Sequence, residues 1–204
     1  MKIGLVKVVA LHLWQNNLGT LCRVSTIYCT NSIWKLRCLC SNTDNRRSCR
    51  PENAKMCIPA AFTDVDGRIT GAYRINGKSY HDNNRRKVSL RGESFIITNK
   101  WRSDNGFQQL TLVYNSKPMK FKDSRKYIRR ALCKNKDGAF ILESNYPMTM
   151  SAFAYYCSKQ CTDAAYLDMG EYGYGYIKRG LLVRPLYVWA FFSRDKQTNW
   201  LYIE

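Results

Sequence analysis

The sequence predicts an α+β fold: a single domain with a large mixed or antiparallel sheet and few helices. Three observations predict it. Short apolar-alternating runs recur along most of the chain, each bounded by Gly, Asn or Asp, which is the signature of strands with one buried face. The dipeptides Asp66-Gly67, Asn76-Gly77 and Asp137-Gly138 supply the positive φ that tight hairpins require. One segment alone, about Ser151–Gln160, carries a helical apolar stripe. At 204 residues and 45% hydrophobic content, one domain with a real core is the simplest reading.

Taken in order, Met1–Trp14 begins Lys2 and then Ile3–Leu13, but Lys7 and His12 interrupt the apolar run. Without a small-residue cleavage site, residues 1–20 read as an N-terminal strand or a degenerate export segment, and residues 21–204 as the domain proper. A degenerate or truncated signal would place the protein in the periplasm or outside the cell; otherwise it is cytoplasmic. Leu21–Tyr28 and Ile33–Leu39 read as a pair of strands, followed by a polar, basic loop over Asn42–Glu52. Met56–Thr63 begins a strand or turn. Arg68–Ile75, Ser94–Thr98 and Gln109–Tyr114 read as strands, and Tyr80–Lys87 as a loop tip. Arg130–Cys133 and Ala139–Glu143 form a hairpin around Asp137-Gly138. Thr149 or Ser151 caps the helix, whose apolar face holds Met150, Phe153, Ala154, Cys157 and Cys161. Ala164–Leu167, Leu181–Phe192 and Trp200–Ile203 complete the strands. No apolar run reaches the roughly 20 residues that span a bilayer.

Thirty-three Lys and Arg against fifteen Asp and Glu give a net charge of +18, which favours polyanionic partners. The densest cluster runs from Lys117 to Lys136. The nine cysteines include no CxxC pair, and with His12 and His81 as the only histidines a structural zinc site is disfavoured. The cysteines read as small core hydrophobes.

The chemistry concentrates at 161–180. The apolar run Ala164–Leu167 delivers Asp168 into a loop containing Gly170, Gly173 and Gly175. Glycines let a backbone approach a ligand closely, and Tyr172, Tyr174 and Tyr176 offer flat faces with hydroxyl tips that suit sugar rings. The same tyrosines also read as ordinary alternating strand residues sharing one face.

Three segments then stand in order: Cys57-Ile-Pro-Ala-Ala-Phe-Thr-Asp64 with Asp66-Gly67; Arg129-Arg130-Ala131-Leu132-Cys133 with Asp137-Gly138; and the helix followed by Ala165-Tyr166-Leu167-Asp168-Met169-Gly170. This order resembles the phosphodiester glycosidase domain, whose members carry an Asn-Gly-Gly-Phe-Phe-like segment, an Arg-x-Ala-x-Gly strand with an Asp-Gly hairpin, and a helix before Leu-Asp-Gly-Gly. The similarity covers roughly residues 20–204 and is closest over 129–180. Asn199-Trp200-Leu201 is similar to the closing strand of bacterial members. Arg129, Ala131, Leu167, Asp168, Gly170 and Phe62 match the pattern. Cys133 and Met169 stand where glycines are usual, and the first-motif asparagine is absent.

The resemblance implies hydrolysis of a sugar-1-phosphodiester in a glycan or glycoconjugate, in a bacterial member acting on an envelope or imported glycan. Arg129 would hold the phosphodiester bidentately, with Arg130 as its alternative, since neighbouring strand residues face opposite ways. Asp168 would stabilise or attack the oxocarbenium-like centre, or act as general base, with Glu171 ranked ahead of Asp64 and Glu143 as a second acid. Phe62, Thr63, Gly170, Tyr172 and Tyr174 would line the substrate. His81 reads as an exposed loop residue. No cofactor is required; a divalent cation such as calcium would find Asp64, Asp66 and Asp168, although their spacing is not that of a calcium loop. The partner is a phosphate-bearing carbohydrate. Two alternatives stand beside this reading: a catalytically inactive glycan-binding relative, for which the missing asparagine and Met169 speak, and a basic nucleic-acid-binding protein, which the charge and the aromatic content permit but no legible motif supports.

Overall fold

A computed structural model describes residues 7–15, 21–28, 35–38, 54–62, 69, 71, 73–75, 78–80, 106–136, 138–169, 174–179, 181–186 and 199–203. In chain order the strands are β1 (Lys7–Gln15), β2 (Leu21–Tyr28), β3 (Lys35–Cys38), β4 (Met56–Pro59), β5 (Tyr73–Ile75), β6 (Lys78–Tyr80), β7 (Gly106–Phe107), β8 (Thr111–Tyr114), β9 (Lys117–Pro118), β10 (Arg130–Asn135) and β11 (Gly138–Ser144). Helix α1 (Met150–Ser158) precedes β12 (Asp163–Tyr166), β13 (Gly175–Arg179), β14 (Leu182–Leu186) and β15 (Asn199–Ile203). The fold is α+β. Every strand pairing among the described residues is antiparallel, so the sheet is antiparallel rather than mixed.

The chain forms two compact units, each drawn from separate stretches: residues 1–32 with 110–166, and residues 33–109 with 167–204. The first unit is a seven-stranded sheet in the order β1-β2-β11-β10-β12-β8-β9 with α1 packed on β8, β9 and β12. The central strand β10 has Ala131, Leu132 and Cys133 fully buried, which is why its sequence is continuously apolar there rather than alternating. The β10–β11 hairpin closes with Asn135 opposite Gly138, so Gly138 is the first residue of β11 and lies one position beyond the two-residue connection. The stretch before residue 21 is not separate from this sheet, because β1 pairs along β2.

Helix α1 starts one residue earlier and stops two residues sooner than its apolar period suggests. Thr149 is the cap: its Oγ1 accepts the Ala152 N–H at 3.2 Å. The buried face of Met150, Phe153, Ala154 and Cys157 is the expected one, with Tyr156 added. Burying Phe153 alone is worth about 2–3 kcal/mol. The β8–β9 turn has no glycine. Asn115 (φ 48°) and Ser116 (φ 63°) both take the left-handed conformation, and the turn is held by Asn115 N–H to Asp163 Oδ1 (3.2 Å) and Ser116 N–H to Thr162 O (2.7 Å).

The second unit holds a five-stranded sheet, β14-β13-β4-β15-β3, and a three-stranded sheet, β6-β5-β7. Ile75 faces Lys78 across β5–β6, which leaves the two-residue connection Asn76-Gly77. The expected pairing of the strands at 21–28 and 35–38 does not occur. β2 lies between β1 and β11 in the first unit, whereas β3 borders β15 in the second. The core of the five-stranded sheet gathers Ala54, Cys57, Tyr174, Tyr176 and Trp200, with Tyr202 packed against them. Gly175 is there for packing: a Cβ on it would sit 2.7 Å from Ile58 Cγ2 and 2.8 Å from the Cys57 carbonyl oxygen.

Candidate functional site

Asp168 lies two residues beyond the end of β12, in the second unit. The approach to it is buried throughout: Ala164, Ala165 and Leu167 are fully enclosed, and Tyr166 and Met169 nearly so. The Asp168 backbone is fixed by its N–H to the Ala60 carbonyl at 3.0 Å, and the residue is itself buried. Ala60 and Ala61 continue from the fully buried strand β4 and are fully buried too. Their small side chains leave the backbone accessible to partners, and Asn199 takes it. Asn199 Oδ1 accepts the Ala61 N–H at 2.7 Å, and Asn199 Nδ2 donates to the Ala61 carbonyl at 3.0 Å. The carboxylate-bearing residue therefore hangs from a segment locked by a side-chain amide. Phe62, next in sequence, is half-buried.

Arg129 lies in the first unit, just before β10, and is 4% exposed. Its backbone N–H donates to Ser144 Oγ (2.8 Å), and its carbonyl accepts the Ser144 N–H (2.8 Å). The guanidinium donates through Nε to Met148 O (3.2 Å), through Nη2 to Arg125 O (3.0 Å) and, at a long 3.4 Å, through Nη1 to the Tyr166 hydroxyl. It lies over the rings of Tyr127 (5.1 Å) and Tyr166 (5.7 Å). All three acceptors are neutral. A guanidinium carries five N–H donors, so two remain without a protein acceptor among the described residues. Asp123, whose carboxylate feels the Arg129 charge, is already engaged by Arg125 through Nε at 2.9 Å, and that hydrogen bond holds its pKa below the usual value.

Arg130 is placed differently. It is fully buried and bound to Glu143 across β10–β11, with Nε 2.7 Å and Nη2 2.6 Å from Oε2. The alternative roles of Arg130 on a phosphate and of Glu143 as a second acid give way to this ion pair, because each neutralises the other's buried charge. Tyr174 is likewise buried in the core cluster with Ala54, Cys57, Tyr176 and Trp200 rather than on a sugar platform. Thr63, Asp64, Asp66, His81, Gly170, Glu171 and Tyr172 lie outside the described residues.

The sequence places Asn199 only in a closing strand and Tyr166 only in a motif segment; the amide clamp of Asn199 and the cradle that Tyr127 and Tyr166 form around Arg129 emerge from the structure. The signal for Asn199 was its position: a polar residue opening an apolar strand, Asn-Trp-Leu-Tyr-Ile. Among the described residues no group of three or more His, Cys, Asp or Glu is arranged to hold a metal ion, and no helix is long and apolar enough to cross a membrane. Cys57, Cys133, Cys157 and Cys161 are buried. No protein-family model matches the chain, and no curated protein matches it.

Proposed function

We propose that the protein is a hydrolase of the phosphodiester glycosidase type, cleaving the bond between a sugar and a phosphodiester. The observation that carries this reading is Arg129: a buried guanidinium whose hydrogen-bond acceptors among the described residues are all neutral and leave two of its donors over, an arrangement that suits an anion. A phosphodiester supplies one negative charge and two oxygens that a planar guanidinium can hold bidentately.

In the reaction, the bond from the anomeric carbon to the bridging oxygen breaks, and the phosphate leaves with the electron pair as a monoester. Water supplies the new hydroxyl at the anomeric carbon, either directly or after displacing Asp168, and its other proton goes to the departing phosphate monoester through solvent. The carboxylate of Asp168 opposes the positive charge that develops on the sugar ring. Arg129 opposes the negative charge that grows on the leaving phosphate. Phosphate leaves as a stabilised anion, so no second carboxylate is needed to protonate it.

The test is hydrolysis of a panel of sugar-1-phosphodiesters by the wild type and by Asp168→Asn, with the fold of both followed by circular dichroism. Turnover by the wild type that disappears in a folded variant supports the reading. Equal rates in the two proteins, or no turnover of any diester, overturn it.

A further inference from the structure

Residues 117–130 carry seven Lys and Arg and one acid, Asp123. In the first unit, Lys120, Lys122, Arg125 and Lys126 are all exposed. A run of surface charge is ordinarily a solvated face, but this one is built. Phe121 donates its N–H to Ser151 Oγ (2.9 Å) and accepts the same hydroxyl on its carbonyl (3.0 Å), which ties the segment to the first turn of α1. Asp123 Oδ1 accepts the Arg125 N–H (3.0 Å) and closes a local turn. Tyr127 bridges to Met148 through both backbone groups (3.2 and 2.9 Å). Arg129 reaches back from beneath to the Arg125 carbonyl. Two ties to the rest of the unit, at Phe121 and Tyr127, and two within the segment fix the backbone that carries the lysines, so less backbone ordering entropy is lost when they bind. The single acid is engaged by Arg125.

The strip ends at Arg129, with the half-exposed ring of Tyr127 lying over the guanidinium. We propose that residues 120–127 dock a phosphate-bridged glycan chain, so that the substrate is a polymer with charge at successive linkages rather than a small diester. This rests on the hydrolase reading above: Arg129 takes the phosphate at the scissile bond, and the lysines take phosphates further along the chain. The aromatic neighbours favour a glycan over single-stranded nucleic acid. A cation already sits over Tyr127 and over Tyr155, where Lys159 Nζ is 4.8 Å from the ring centre. With cations on their faces, those rings are less open to base stacking.

The full chain is tested by equilibrium binding to three fluorescent probes: a poly(glycosyl 1-phosphate), the neutral polymer of the same sugar, and a single-stranded oligonucleotide of equal charge. The expected result is binding of the phosphate-bridged glycan in preference to the other two, weakening steeply as salt rises. The combined substitution Lys120→Gln, Lys122→Gln and Lys126→Gln lowers that affinity about 100-fold at low salt, a factor of roughly five for each lysine. Arginine at the same three positions restores it. Unchanged affinity in the glutamine variant overturns the proposal, and tighter binding of the oligonucleotide overturns it in favour of nucleic acid. Hydrolysis of a small sugar-1-phosphodiester is measured separately. Its absence alongside lysine-dependent glycan binding overturns the hydrolase reading and leaves the docking surface standing.

Discussion

Asn199 pairs with Ala61 as a strand would, its side-chain amide accepting the Ala61 N–H at 2.7 Å and donating to the Ala61 carbonyl at 3.0 Å. Both residues are fully buried, so no bulk water can take either place. The neighbouring carbonyl, Ala60, accepts the Asp168 N–H. One amide thus fixes the backbone from which Asp168 projects. Asn199→Ala leaves a buried donor and a buried acceptor without this partner, each costing about 1–3 kcal/mol. The expected loss is about 3 kcal/mol in urea unfolding at pH 7. A loss below about 0.5 kcal/mol, within the range of an ordinary surface change, would show that the clamp is dispensable.

The Arg130–Glu143 pair makes a second prediction. Glu143→Leu deprives a fully buried guanidinium of its carboxylate and is expected to cost about 3–5 kcal/mol. Arg130→Met combined with Glu143→Leu removes both charges and is expected to recover most of that loss, since the pair offsets its own desolvation more than it adds stability. Denaturant unfolding of the two variants decides. A double variant as unstable as the single one would mean that Arg130 is held mainly by other partners.

These two relationships show where sequence reasoning stops. The β10–β11 hairpin was legible because Asp137-Gly138 and the flanking apolar residues act locally, and β2 and α1 were legible from period alone. The pairing partners of β2 and β3 were not, because alternation says which face is buried and not which strand lies beside it. Residue type and order made Asp168 and Arg129 candidates. That Arg130 would be taken by Glu143, and that Asn199 would hold Ala61 from 138 residues away, depends on long-range register that no local pattern encodes. The β8–β9 turn was hidden for the opposite reason. Asn115-Ser116 takes positive φ without glycine, and partners at Thr162 and Asp163 supply what the turn sequence lacks.

Cys133 carries a pH prediction. Burial, followed by the neighbouring thiols of Cys157 and Cys161, pushes its pKa well above the ordinary value of 9.0. The sign follows from proton counting. Above the unfolded value the unfolded chain has lost this proton while the native state keeps it, so stability falls as pH rises. The contribution is whole below that ordinary value and declines toward the folded value at up to about 1.4 kcal/mol per pH unit. Cys133→Ala removes that dependence. Its alkaline stability slope is therefore expected to be shallower than that of the wild type, even though it starts from a lower stability at neutral pH. Parallel slopes between pH 8 and pH 10 would mean that the thiol ionises alike in both states.

Arg129→Lys separates a functional guanidinium from a structural one. Lysine keeps the charge, but it cannot span the Met148 and Arg125 carbonyls and also present two parallel donors to a phosphate. If Arg129 holds the phosphodiester, kcat/KM for a sugar-1-phosphodiester falls by about 100- to 1,000-fold, the loss typical when an oriented donor to a developing negative charge is removed. The loss should be smaller for a substrate in which a neutral linker replaces the phosphodiester, because that substrate never used the guanidinium. A purely structural arginine would give another pattern: reduced unfolding stability, with both substrates slowed alike or not at all. Measuring kcat/KM for the two substrates beside the unfolding midpoint distinguishes these cases, since only an anion-holding role makes the loss depend on the charge of the substrate.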